Sequence, residues 1–400
     1  MTRMRTAPYL FIGGTSEPGG LHVHTVDVAA AVAAAGHPVR LLCPSIDHYS
    51  AFCAPLGIPV SVIPPRPPRD PSIAYWRQHL AAFRGMRAVY CRGQLAEGPA
   101  SELAGIRSMS SRLYTIEHRA MPDTERRTPA MLRLHGAAMR LLVRRCITVS
   151  DEASREARAR LGLPARLVAT CLNWVDPSFR PATVEQRREA KRQLGVDPDT
   201  FVIGYHGRLA PEKRVHVLIE ALAALKAAER TPFTAVLVGE GWKRREFEAL
   251  VAARGLCGLV RFAGWQADPS VAVRAFDGAV LPSLAEGFPL GLMESMASGS
   301  VCIAHPMSST STLIQSGENG YLVDLQEPAT LADAWSRVLS SPPAERSRIA
   351  VAAAATIERD YSRRRRLPDV LRALDIRDAD RAVASMPDIR RNLVFAKATP

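Results

Sequence analysis

Along most of this chain, short apolar runs alternate with longer segments whose apolar residues recur every three to four positions. The short runs, bounded by turn residues, read as buried strands of a parallel sheet, and the helix-period segments between them read as crossovers. Strands are predicted over 9–12, 39–43, 60–63, 87–91, 112–116, 146–149 and 167–170. Helices are predicted over 21–35, 74–84 and 130–145, and Ser150 caps another. A charged, proline-punctuated stretch, 177–199, breaks the alternation and reads as an interdomain linker carrying one helix over 184–194. A second series follows, with strands over 201–205, 233–238, 260–262, 279–281, 301–304 and 321–323. Its helices are expected over 213–230, 242–254, 329–339, 344–359 and 361–375. The pattern implies an α/β fold of two Rossmann-like β/α/β domains facing across a cleft, residues 1–176 and 177–360. Helix 361–375 is expected to pack back on the first domain, and 376–400 reads as a loosely held tail.

Right-handed crossovers bring each domain's strand-exit loops to one side, where open α/β sheets bind ligands. Three such loops carry polar residues of one kind of chemistry. After the strand ending at Leu281 comes Ser283 to Gly299, in which Glu286 and Glu294 flank the turn Gly287-Phe288-Pro289 and Glu294 falls on the next helix. The amide groups at that helix start suit a phosphate or a hydroxyl-rich ligand. After the strand ending at Tyr205, Gly207-Arg208 and Lys213 place a planar fork and a mobile ammonium within reach of one anion. A pyrophosphate gaining charge as a leaving group needs that pairing, although a solvated basic helix start has the same sequence. Gly239-Glu240-Gly241 after the next strand is either a third close-approach loop or a plain turn. In the first domain the loop after residue 12 is glycine-rich and ends in Gly19-Gly20. It spells neither G-x-G-x-x-G nor a Walker lysine, which excludes a dinucleotide or NTPase fingerprint.

Composition narrows the partners. The 400 residues carry 52 Lys and Arg and a formal net charge of +13. That balance favours anionic partners without choosing among phosphorylated small molecules, nucleic acid and acidic membranes. No stacking-aromatic module or recognition helix supports nucleic acid. Seven scattered cysteines without a Cys-x-x-Cys argue for buried thiols in a cytoplasmic protein, not a disulfide framework or zinc site. The basic run Arg363–Arg366 reads either as the solvated face of a helix or as a peripheral contact with the inner face of an anionic membrane. Asp197-x-Asp199 and Asp378-x-Asp380 fall away from strand exits and read as solvated turns.

Taken in register, Gly-Arg-x4-Lys at 207–213, Val-Gly-Glu-Gly at 238–241, Glu-x7-Glu at 286–294 and Met-Ala-Ser-Gly at 296–299 closely resemble the retaining GT-B glycosyltransferases of family 4. Gly19-Gly20 before a helix ending in Ala-Gly-His, Val149-Ser150-Asp-Glu and Asn173-Trp-Val-Asp176 resemble that family's N-terminal segments. Trp174 departs from it, standing where a glycine is usual. The resemblance covers residues 9 to 375.

That resemblance implies transfer of a sugar from a nucleotide-sugar donor to a glycan, glycolipid or small-molecule hydroxyl, with retention and an α-linkage. Arg208 and Lys213 would hold the donor diphosphate, Glu294 the ribose and Glu286 the donor sugar, with backbone help from Phe288 and Leu290. Gly19 and Gly20 would approach the donor phosphate or the acceptor. His118 matches a histidine at the sugar-facing edge, and His22 and His24, which follow Gly20, are either acceptor-side groups or exposed or capping residues. Neither a cofactor nor a metal is expected, since positioning and fixed charge do the work. A sugar-nucleotide epimerase of the same fold and a non-catalytic nucleotide-sugar-binding protein are the rival readings.

Overall fold

A computed structural model describes residues 7–13, 19–45, 49, 52–64, 72–120, 128–228 and 231–387. The described chain forms two compact units. One comprises residues up to Asn173 together with those from Arg363 onward, and the other is Trp174–Ser362.

The first unit runs β1 (Tyr9–Gly13), α1 (Gly20–Ala34), β2 (Val39–Cys43), β3 (Val60–Val62), α2 (Ser72–His79), β4 (Arg87–Arg92), α3 (Ala100–Met109), β5 (Arg112–Glu117), α4 (Pro129–Leu142), β6 (Arg145–Thr148), α5 (Asp151–Ala159) and β7 (Val168–Thr170). All its strand pairs are parallel, in the order β3-β2-β1-β4-β5-β6-β7. The central strand β1 is apolar because helices cover both faces of the sheet: Tyr9 to Ile12 are all buried.

The second unit runs α6 (Val184–Gln193), β8 (Phe201–His206), α7 (Val215–Ala228), β9 (Phe233–Val238), α8 (Arg244–Ala253), β10 (Val260–Gly264), α9 (Ser270–Arg274), β11 (Gly278–Leu281), α10 (Leu290–Ala297), β12 (Val301–Ala304), α11 (Ser308–Leu313), β13 (Tyr321–Leu322), α12 (Pro328–Ser340) and α13 (Pro343–Tyr361). Its sheet is again parallel, ordered β10-β9-β8-β11-β12-β13. Both orders reverse direction beside the first strand, between β1 and β4 and between β8 and β11. Those reversals are the switch points where doubly wound sheets open a crevice at the strands' carboxyl ends. The core of this unit closes on Trp335, fully buried beneath β8 and β11. Gly278 lacks a side chain because a Cβ there would sit 2.6 Å from the Trp335 ring.

Several elements differ from the sequence reading. The helix expected over 74–84 stops at His79 and continues as a 3-10 turn, Ala81–Phe83. Helix α3 escapes the apolar pattern, because Glu102 and Gly105 occupy its buried face beside Leu103 and Ile106. Helix α7 begins at Val215, after Lys213, because Arg214 takes a left-handed φ of 51° that no α-helix continues through. The stretch read as a linker is anchored to the second unit. Thr183 and Gln186 close a capping box on α6, and Lys191 Nζ reaches Asp277 Oδ2 at 2.7 Å while donating to the Thr200 carbonyl at 2.9 Å. Trp174 is buried, and its neighbour Val175 pairs with the chain at Tyr361 and Ser362.

Past Ser362, helix α14 (Arg363–Ala373) packs on α1 and β6. Tyr9 donates to the Leu374 carbonyl at 2.6 Å, and Tyr114 and Arg112 both donate to Asp375. The tail expected after 376 first forms α15 (Ala379–Ala384), with Ala379, Ala382 and Val383 buried. Within the basic run, Arg363 is buried, so only Arg364 and Arg365 are fully on the surface. His22 and His24 are neither exposed nor capping: both are buried inside α1. The cysteines are unpaired, and all except Cys257 are buried. Burial pushes the Cys53 and Cys91 thiols up to about 12.

Candidate functional site

The switch point of the second sheet gathers residues from three loops. β8 ends at His206 and turns through Gly207, Arg208 and a 3-10 turn, Pro211–Lys213. Tyr205 holds the turn from beneath, its hydroxyl donating to the Arg208 carbonyl at 2.8 Å. Arg208 Nη2 lies 2.6 Å from Glu212 Oε1, with about a third of each side chain exposed. Lys213 extends to the loop after β11, where its Nζ meets Glu286 Oε1 at 2.5 Å.

The third contributor is α10. Its first turn lies flush against the end of β8, since a Cβ on Gly291 would come within 2.1 Å of the His206 carbonyl. One turn on, the buried Glu294 sets Oε2 2.9 Å from His206 Nδ1. The imidazole also stacks on the ring of Phe179, with centroids 6.5 Å apart. Phe288 turns its ring inward against Tyr361, and Pro289 precedes the first residue of α10, Leu290. Two carboxylate–cation pairs and one carboxylate–imidazole contact thus gather at the switch point, and each joins residues that the sequence keeps apart by a turn or more.

Gly239 and Gly241 have a packing reason of their own. A Cβ on Gly239, whose φ is 134°, would lie 2.0 Å from the Gly207 carbonyl, and one on Gly241 would lie 2.3 Å from that of Leu209. Their absent side chains let the β9 exit loop press against the Arg208 loop. Glu240 between them pairs with Arg244 on α8. Trp242, Trp265 and Leu284 are apolar side chains left exposed in the loops after β9, β10 and β11. His206 and these two tryptophans carry no sequence motif. Their only signal is position, at or just past a strand's carboxyl end.

The first unit has its own polar cluster at the β4 and β5 exits. Arg92 is buried and donates through Nε to Glu117 Oε1 at 3.1 Å and through Nη1 to the Glu97 carbonyl at 3.0 Å. His118 follows directly, its Nδ1 2.9 Å from the Arg92 carbonyl. A carbonyl only accepts, so Nδ1 carries the proton and Nε2 is left as an acceptor. That Nε2 is buried and meets no hydrogen-bond partner among the described residues. The His24 ring stands edge-on to His118 at 4.7 Å. Burial holds both imidazoles below the usual histidine range, His118 at about 4, and His118 further disfavours a charge on His24. Gly19 ends the described part of the loop before α1. It is extended, and a Cβ there would meet nothing within 4 Å among the described residues. Gly20 opens the helix. Among the described residues no three His, Cys, Asp or Glu side chains gather as a metal-binding group.

Residues 186–356 match the sequence model of the glycosyl transferases group 1, and residues 18–179 match that of glycosyltransferase family 4. The chain belongs to the family 4 glycosyltransferases. Among curated relatives, this glycosyltransferase is 32% identical to the alpha-D-kanosaminyltransferase of Streptomyces kanamyceticus over 54% of its own length and 56% of that protein. It thus spans about half the length of that relative. It is 26% identical to the D-inositol 3-phosphate glycosyltransferase of Thermomonospora curvata over 85% of its own length and 86% of that enzyme. Among solved structures, Anabaena HepE in complex with UDP and glucose superposes with a TM-score of 0.77 at 21% identity, over 92% of this chain and 99% of that one. That likeness shows the fold, GT-B, with its two Rossmann-like units.

Proposed function

We propose that this glycosyltransferase moves a sugar from a nucleotide-sugar donor to a hydroxyl acceptor with retention, forming an α-linkage. The observation that carries the reading is the meeting of Arg208, Lys213, Glu286 and Glu294 at the switch point of the second sheet, two cations and two carboxylates in one crevice. The cations suit the donor diphosphate: Arg208 as a fork, Lys213 as a mobile charge released from Glu286 when phosphate arrives. Glu294, held by His206, accepts from the ribose hydroxyls, and Glu286 accepts from the donor sugar. Phe288 points its ring away, so its part and that of Leu290 are played by the backbone at the start of α10. Gly207, Gly239 and Gly241 shape the wall, Glu240 and Pro289 border it, and Gly19 and Gly20 give a ligand room at the start of α1. In the first unit, His118 offers Nε2 as an acceptor for a sugar hydroxyl.

The chemistry asks for little acid–base equipment. The departing phosphate oxygen takes the acceptor proton on the face it leaves, and fixed charge stabilises the diphosphate as its bond to the sugar breaks. HepE, of the same fold, is seen with UDP and glucose, which makes a uridine donor the first to try. The named relatives are an alpha-D-kanosaminyltransferase and a D-inositol 3-phosphate glycosyltransferase, which supports a polyhydroxylated small molecule or glycan end as acceptor.

The test is a screen of nucleotide-sugars by thermal shift, followed by turnover with the donor that raises the melting temperature. Acceptor-dependent release of nucleoside diphosphate and an α-anomeric proton in the product support the reading. Sugar interconversion without acceptor would assign an epimerase, and binding without any turnover a non-catalytic protein.

A further inference from the structure

A cavity of about 590 Å³ opens in the second unit, at the end of its sheet opposite the switch point. Its wall includes Phe201 and Val301, the first residues of β8 and β12, and Asp277, which directly precedes β11. The strands are parallel, so the loops carrying Arg208 and Lys213 lie a strand's length away, roughly 16 Å for the six residues of β8. A ligand held here touches none of the groups assigned to sugar transfer.

The polar groups of the wall are unevenly spent. Arg187 is anchored by Nη2, which donates to the Ser298 and Gly299 carbonyls at 3.2 and 3.1 Å, where α10 ends. Its Nη1 is buried, stands 4.0 Å from Asp277 Oδ1 and meets no hydrogen-bond partner among the described residues. Burial pulls this guanidinium below the usual arginine range, and Asp277 opposes that only in part. Arg346 is anchored in the same one-armed way. Its Nη1 donates to the Val338 and Leu339 carbonyls, each at 3.2 Å, where α12 ends. The guanidinium lies over the Phe201 ring, 5.8 Å from its centre, and no described residue accepts from its Nη2 or Nε. The carboxylates, by contrast, are engaged. Asp277 holds Lys191 and the Val202 amide, and Asp199 pairs with Arg188. Asp197 accepts from the Asp199 amide, and both of these acids are exposed.

We propose that this cavity binds a small phosphate monoester that also carries hydroxyls, a phosphorylated sugar or polyol. What the wall has left over is mostly donors, on two guanidiniums each fixed by its other arm. Planar forks held in place suit the oxygens of a phosphate. A bare phosphate would gain those bonds but would also face Asp197 and Asp199. Their remaining lone pairs instead suit hydroxyl donors, which a sugar or polyol brings with it. The size agrees, since cavities of about 300–1,000 Å³ are usual for small-molecule sites. The inference is independent of the sugar-transfer reading, because the two sites share no residue.

Titration calorimetry on the full-length protein tests it. Glucose 6-phosphate is expected to bind saturably and more tightly than inorganic phosphate, and glucose not to bind. Arg346→Gln and Arg187→Lys should each weaken glucose 6-phosphate by about tenfold or more, the usual loss with a charged hydrogen bond. Both arginines also hold helix ends, so a further variant separates binding from folding. Ser347→Trp fills the cavity from an exposed position on α13. It should abolish binding while the melting temperature stays near wild type. The double variant Arg208→Ala/Lys213→Ala should bind glucose 6-phosphate as wild type does. Absence of wild-type binding overturns the proposal, as does wild-type affinity in Ser347→Trp. Loss of binding in Arg208→Ala/Lys213→Ala, with affinity kept in Arg346→Gln, would place the phosphate at the switch point and overturn it too. Equal affinities for inorganic phosphate and glucose 6-phosphate would overturn the assignment to a sugar or polyol.

Discussion

The Lys213 ammonium donates to the Glu286 carboxylate at 2.5 Å, tying the loop after β8 to the loop after β11 across the switch point of the second sheet. In the proposed function, a diphosphate bound there competes with Glu286 for that ammonium. Glu286→Gln removes the competing charge and leaves the shape. UDP should then bind about three- to tenfold more tightly, because one nearby like charge is gone, while turnover falls with the lost sugar contact. Titration calorimetry with UDP reads the first effect and initial rates the second. Weaker UDP binding in the variant would mean that Glu286 orders the site more than it competes.

Arg208→Ala and Lys213→Ala should each lower kcat by roughly 10²–10³, the usual cost of removing one donor to developing transition-state charge. Both side chains are partly exposed and end in ion pairs, so melting temperatures should move by no more than a few degrees. Near-normal rates in both variants with a confirmed donor would remove the diphosphate assignment.

The glycines divide into two kinds. Gly239→Ala puts a side chain on a φ of 134° and against the Gly207 carbonyl, and should cost about 2 kcal/mol or more of stability. Gly19→Ala adds a methyl to extended backbone facing open space, so its stability should change by less than about 0.5 kcal/mol. Any loss of activity in Gly19→Ala then reports crowding of a ligand, read as a raised KM for donor or acceptor. A Gly19→Ala enzyme with wild-type kinetics would free that position from any ligand role.

His118 is held neutral to about pH 4 against an ordinary value of 6.5. Between those values the unfolded chain binds a proton that the folded chain refuses, so stability should fall as pH drops from 6.5 toward 4 and level off below. His24, lowered by burial and by His118, adds to the same slope. Chemical denaturation at stepwise pH should show that slope shrinking in His118→Asn, whatever the variant's absolute stability. An unchanged slope would mean that other groups govern the acid limb.

How legible the site was depends on how local its cause is. Arg208, Lys213, Glu286 and Glu294 stand out because strand-exit loops of a βα repeat collect at one edge, and repeat boundaries are visible as apolar runs. His206 was not legible. It ends a strand and looks like any strand residue until α10 brings Glu294 to 2.9 Å. His22 and His24 follow two glycines, which suggests exposed loop or cap positions, yet the helix starts at once and turns both inward. Helix α3 was hidden because its buried face carries Glu102, whose Oε2 accepts from Tyr90 at 3.3 Å. A buried carboxylate breaks the apolar period that pattern reading relies on.

The sequence by itself determined that the chain alternates strand and helix in two series, and that Arg208, Lys213 and Glu286 fall in segments at strand exits with Glu294 on the helix after one of them. Strand and helix periods are local properties, set by side-chain alternation over a few residues, and so they survive in one dimension. The tertiary structure alone decided the rest. It set the strand order that puts the β8 and β11 exits side by side, and the pairing of Lys213 with Glu286 and of His206 with Glu294. It also left Leu134 and Leu141 outside the core while their helix neighbours were buried. These are contacts between residues far apart in the chain. They follow from which packing buries the most apolar surface with its polar groups satisfied, a property of the whole chain that no single stretch encodes.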